Sequence, residues 1–99
     1  MKTIKELKDI LLQNKGDLKQ KYKIKEIGLF GSYIRNEQHL TSDLDLIIEF
    51  EEDAKISLLE FVRIENYLSD LLGVKVDLVE KSALKPRIGK QILKEVSYL

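Results

Sequence analysis

Residues 28 to 50 read GLFGSYIRNEQHLTSDLDLIIEF. Two apolar runs flank a Gly-Ser pair and a polar loop, and the second run carries Asp43 and Asp45 one residue apart. Side chains alternate between the two faces of a strand. Asp43, Asp45, Ile47 and Glu49 therefore share one face, and Leu44, Leu46, Ile48 and Phe50 line the other. Partly buried carboxylates side by side repel and lose hydration, at a cost of several kcal/mol unless something positive lies between them. A divalent cation removes the conflict, and oxygen ligands on a rigid strand suit Mg²⁺, which keeps several waters and completes its shell with phosphates. The structural alternative is a strand edge with two solvated acids.

Gly31-Ser32 supplies a second half to this pattern. It follows the first apolar run and precedes a short helical turn, Ser32 to Arg35. A strand–Gly–helix junction presents backbone N–H groups to an anion, and the start of a helical turn adds positive partial charge. Gly31 allows close approach of a phosphate, Ser32 adds a hydroxyl donor, and Arg35 lies one turn on. A Gly-Ser pair alone also marks ordinary turns; two acids on the following strand make the combination specific. Two metal ions would need a third carboxylate. Asp77 fits, because it interrupts the apolar run Val74–Val79 as Asp45 interrupts its own. Glu49 and Glu80 compete for that role, but each falls at a strand end.

Working outward, Thr3 and Glu6 form a capping box for a helix carrying Ile4, Leu7, Ile10 and Leu11. Asn14-Lys15-Gly16 predicts a break or kink, with a second short helix from Asp17 to about Tyr22. Lys25–Phe30 reads as a strand. Ile56–Leu72 reads as the strongest helix, with Leu58, Phe61, Ile64, Leu68 and Leu71 in one stripe and Gly73 ending it. Val74–Val79 is a further strand, and Ser82–Val96 is helical, interrupted or started at Pro86. The expectation is an α+β fold, a small mixed sheet of three or slightly more strands packed with helices, in a single domain spanning residues 1–99. The link after Phe30 is too short to guarantee a parallel crossover, whereas the long helix can supply one.

The totals exclude several classes. The chain has 99 residues, no Cys and no apolar run of membrane-spanning length. Thiol nucleophiles, disulfides and thiolate zinc sites are ruled out. The start, MKTIKELKDI, lacks the apolar core of a signal peptide, so a cytoplasmic domain is expected. Zero net charge hides an asymmetry: residues 1–25 carry eight Lys against three acids, and residues 37–80 carry twelve acids against three bases. The only His, His39, lies in a polar loop without metal-ligating neighbours in sequence. The four Tyr are not interleaved with basic residues as a base-stacking platform, which argues against nucleic acid as the main partner.

Gly31-Ser32, ten residues, then Asp43-x-Asp45 resembles the GS-x10-D-x-D motif of the minimal nucleotidyltransferases, small relatives of the DNA polymerase beta superfamily. The similarity continues through KVDLVE at 75–80 and ALKPRIGKQILKE at 83–95. The resemblance implies a polymerase-beta-like fold with Asp43 and Asp45 as shared ligands of two Mg²⁺ ions, for which Mn²⁺ could substitute. It implies that Asp77 helps bind the catalytic metal and activate the nucleophile, while Gly31 and Ser32 hold the triphosphate of ATP. Members of this family often act as antitoxins of HEPN-type ribonuclease toxins, which implies AMP transfer to a toxin tyrosine within a hetero-oligomer. A non-catalytic antitoxin that neutralises by stoichiometric binding is the alternative. Two departures stand beside the Arg, where the family commonly has Ala and Gly and this chain has Ile34 and Asn36. Asn tolerates the left-handed conformation better than other non-Gly residues, so the turn can survive, and Ile34 could narrow the space beside the nucleotide.

Overall fold

The computed structural model describes residues 2–39 and 42–99. Its elements are α1 (Ile4–Tyr22), β1 (Ile24–Phe30), β2 (Leu44–Phe50), α2 (Leu58–Leu72), β3 (Val76–Glu80), a 3₁₀ turn (Lys81–Ala83), α3 (Pro86–Glu95) and β4 (Ser97–Tyr98). The strands form one sheet in the order β3-β2-β1-β4. β1 pairs antiparallel with β2 and with β4, while β2 and β3 run parallel, joined by the α2 crossover. The mixed α+β architecture is the expected one, with a fourth strand added.

Helix α1 begins on the expected capping box: the Thr3 hydroxyl accepts from the Glu6 N–H at 3.1 Å, and Glu6 accepts from the Thr3 N–H at 3.3 Å. It does not break at Asn14-Lys15-Gly16 but continues to Tyr22. Leu7, Leu11 and Leu18 form one buried stripe that spans the glycine. Gly in a helix interior costs up to about 1 kcal/mol, and burying Leu18 returns about 1.5–3 kcal/mol. Tertiary burial therefore overrides the local break signal. The Asn14 amide donates to the Ile10 carbonyl at 2.8 Å, so it supports the helix rather than ending it.

Helix α2 starts at Leu58, two residues later than expected, because Ser57 takes the N-cap and its hydroxyl accepts from the Glu60 N–H at 3.1 Å. Ile64, Leu68 and Leu72 are its buried residues, whereas Leu58 is 80% exposed and falls outside the stripe. Gly73 ends the helix at φ +69° as anticipated. β3 begins at Val76 rather than Val74 and lies at the sheet edge. Side chains of α2 cover that edge: Val76 N–H donates to the Ser69 hydroxyl at 3.0 Å and Leu78 N–H to the Glu65 carboxylate at 2.9 Å. Covered edges resist pairing with other chains.

The core occupies one face of the sheet, where Ile27, Leu29, Leu44, Leu46, Ile48 and Leu78 meet the buried stripes of α1 and α2. Tyr98-Leu99, which the sequence left open as a frayed end or a partner anchor, belongs to the sheet: Gly28 pairs with Tyr98, Leu29 with Ser97, and Leu99 N–H donates to the Ile27 carbonyl at 3.0 Å. Gly28 makes room for this strand, since a Cβ there would lie 2.5 Å from Val96 Cγ1 and 3.1 Å from the Tyr98 ring. Gly28→Ala is expected to cost about 1–3 kcal/mol by overpacking. It should also release protection of the Leu99 amide, measured by chemical denaturation together with hydrogen exchange. Unchanged exchange at Leu99 would rule out this account of Gly28.

Candidate active site

The opposite face of the sheet gathers the expected acids. Strand register places Asp45 directly beside Phe30 of β1 and Asp77 of β3. Asp43 precedes β2 by one residue and two residues before Asp45, on the same face. The neighbours further along are Gly28, Ile47 and Val79, with Ile47 only 1% exposed, so the carboxylates border an apolar floor. Asp45 is half-buried and Asp77 exposed, which sets Asp77 at the mouth of the group.

This arrangement costs energy. The Asp45 carboxyl is pushed up to about 6, first by burial, then by the charges of Asp77 and Asp43, with Arg35 opposing and Glu95 adding to the rise. The cation recorded against Asp43 is Lys75, at 3.9 Å on an 81% exposed side chain, which gives little compensation. Among the described residues, no three acidic or His side chains stand together as a ready ion cage. The donor set still suits Mg²⁺: all oxygen, on adjacent strands, with unsatisfied negative charge at Asp45. An ion that retains waters and binds phosphate needs only one or two carboxylates from the protein.

The Gly-Ser turn closes onto the same spot. Gly31 leaves β1 at φ +80°, and a Cβ there would overlap the Asp45 carboxylate, so only glycine lets this backbone approach the acid. The turn is held by Arg35 N–H to the Gly31 carbonyl at 3.1 Å and Glu37 N–H to the Ser32 carbonyl at 2.8 Å. Tyr33 anchors it in the core at 3% exposure. Asn36 takes the left-handed conformation at φ 59°, as its side chain permits. Ile34 is partly buried and packs against the core cluster. His39 is exposed, its backbone N–H donating to the Ser42 hydroxyl at 2.8 Å, and Tyr22 and Tyr67 pair with ring centroids 5.7 Å apart.

One residue of the site escaped the sequence reading. Glu95, the last residue of α3, accepts from the Gly31 N–H at 3.0 Å and from Arg35 Nη1 at 3.1 and 3.2 Å. Arg35 also donates from Nε to Glu37 at 3.3 Å, and these two partners raise its already high pKa. Glu95 lies 64 residues from Gly31 in sequence. Its only signal was being the lone acid in the basic segment 81–99.

Comparison with known proteins identifies the family. Residues 4–99 match the model of the family described as nucleotidyltransferase domain. A Methanocaldococcus jannaschii protein provisionally named a protein adenylyltransferase is 54% identical over 100 residues, covering all of both chains. The protein adenylyltransferase MntA of Thermococcus cleftensis is 46% identical over 99 residues, covering 100% of this chain and 98% of its own. A solved structure provisionally described as a minimal nucleotidyltransferase superposes with a TM-score of 0.74 at 35% identity, covering 94% of this chain and 95% of the other. Two more distant structures share the fold. One is a toxin–antitoxin complex with AMP-PNP (TM-score 0.71, 23% identity, 87% and 69% covered). The other is a tri-AMPylated Shewanella oneidensis HEPN toxin in complex with an MNT antitoxin (0.68, 18%, 93% and 70%). An acid trio on adjacent strands, a glycine turn against its central member and a family match along nearly the whole chain lead to one assignment: the protein belongs to the nucleotidyltransferase domain family, as a minimal nucleotidyltransferase.

Proposed function

We propose that this protein is an antitoxin that moves AMP from ATP to a tyrosine hydroxyl of a partner HEPN-type toxin. The observation that carries the reading is the placement of Asp45 between Asp77 and the Gly31 turn, with Asp43 on the same face. Acids in strand register beside a donor-rich turn are what a metal-bound triphosphate requires. The 46% identity to a protein adenylyltransferase supports a protein acceptor, and the toxin–antitoxin complexes of the same fold support its kind.

In this reading Asp43, Asp45 and Asp77 would hold Mg²⁺, two ions with Mn²⁺ as a substitute, which when bound neutralises charge on the transferring phosphoryl group. Ser32, the Gly31 turn and Arg35 orient the β- and γ-phosphates. The acceptor oxygen attacks the α-phosphorus, the bond to the pyrophosphate oxygen breaks, and pyrophosphate leaves. Asp77 takes up the hydroxyl proton; its exposure lets a hydroxyl carried on another protein reach it.

Mixing the protein with its partner toxin, ATP and Mg²⁺ is expected to add one or more AMP groups to the toxin, located by peptide mass spectrometry, and to lower its ribonuclease activity. Chelation should stop the addition. Asp77→Asn should keep binding the toxin and leave it unmodified and active. Silencing by the wild-type protein with no added mass would replace this reading with neutralisation by occupancy.

A further inference from the structure

Resting on the nucleotide reading above, the position of Glu95 bears on how the turn is filled. Its carboxylate holds the Gly31 N–H and the Arg35 guanidinium, the two donors at this turn best suited to a phosphate oxygen. A backbone N–H has a single hydrogen to give, so a phosphate that accepts from Gly31 and the Glu95 carboxylate exclude each other there. We propose that Glu95 is a built-in competitor of the triphosphate, an internal anion that sets nucleotide affinity and must swing away for the cradle to fill.

Three observations favour competition over support of the turn. The turn closes through its own backbone bonds and through buried Tyr33, without Glu95. Glu95 adds a fourth negative group to a face that already holds Asp43, Asp45 and Asp77, which opposes an incoming polyanion. Its side chain is 29% exposed and its pair with Arg35 is open to solvent, so a rotamer change releases both donors at small cost. The carboxylate is nonetheless placed by construction. Val96 seats against Gly28 and Ser97 pairs with Leu29, which fixes the end of α3 over the turn. Departure of Glu95 is thereby a local event in a rigid frame.

Calorimetric titration of Mg·ATP into the wild-type protein, Glu95→Ala and Glu95→Gln tests this. Glu95→Ala is expected to bind about two- to fivefold more tightly, the range for losing one partly exposed charged competitor. Glu95→Gln, nearly isosteric and uncharged, should fall between, with melting temperatures of both variants close to wild type. The Gly31 amide signal in ¹⁵N spectra should shift in Glu95→Ala, and Mg·ATP should bring it to a common position in all three proteins. Weaker binding by Glu95→Ala overturns the proposal and makes Glu95 a support of the turn; unchanged binding overturns it as well. Tighter binding without transfer to a partner leaves the competition standing and removes the transferase reading. Transfer with unchanged affinity does the reverse, and no binding by any of the three removes both.

Discussion

Asp45→Asn is expected to abolish transfer and, in chelator, to make the protein more stable at pH 7–8. Removing one carboxylate from the proposed metal-binding trio would forfeit several kcal/mol of charge stabilisation, on the order of 10³-fold in rate. The stability effect follows from the raised pKa. Asp45 stands at about 6 in the fold against 3.8 for an ordinary carboxyl. Between roughly pH 4 and 6 the folded state therefore holds a proton that the unfolded chain has lost, and stability falls as pH rises through that window. Above it the full cost is present; below it the cost is gone. After allowance for solvent screening the cost is about 1–2 kcal/mol, or about 4–10 °C in melting temperature for a domain of this size. The variant's advantage should be largest near pH 8, shrink toward pH 4, and disappear or reverse when Mg²⁺ is added to both proteins. Melting curves across pH with and without Mg²⁺ measure it, and an advantage independent of pH would remove the electrostatic explanation.

The second large effect is expected at Gly31. An alanine there adds the strain of a left-handed φ, about 1–2 kcal/mol, and a methyl group that overlaps the Asp45 carboxylate. Either the carboxylate rotates or the turn backs away from it. Misplacement of reacting groups by an ångström costs on the order of 10²-fold in rate, so Gly31→Ala should lose transfer nearly as fully as loss of an acid. A double-mutant cycle separates the two causes. In an Asp45→Ala background the overlap with the carboxylate is gone, leaving the backbone strain and a tight 3.1 Å contact with the Cβ at position 45. Gly31→Ala should therefore destabilise that protein less than it destabilises the wild type. Strict additivity in denaturation experiments would show that strain alone is responsible.

Much of this could be read in residues 28–50 because the relevant rules are local. Alternation in β2 put Asp43 and Asp45 on one face before any neighbour was known, and the apolar setting of Asp77 marked β3 in the same way. Caps worked where they are chemically explicit, at Thr3 and Gly73, and Asn36 accepted the left-handed turn for the reason its side chain suggests. The misreadings came where a distant contact outweighed a local preference. Asn14-Lys15-Gly16 carries a genuine break signal, yet α1 runs through it because Leu18 has a core to enter. Ser97-Tyr98 is too short to register as a strand, and only the side-chain-free surface of Gly28 gives it a place in the sheet. That pairing carries Glu95 onto the Gly31 turn. By itself the sequence determined which acids share a face and which glycine turn serves them, since those depend on spacing along one strand. Tertiary structure alone decided that Asp45 meets Asp77 across the sheet and that Glu95 holds the turn's donors, because both contacts join segments whose separation in the chain carries no periodic signal.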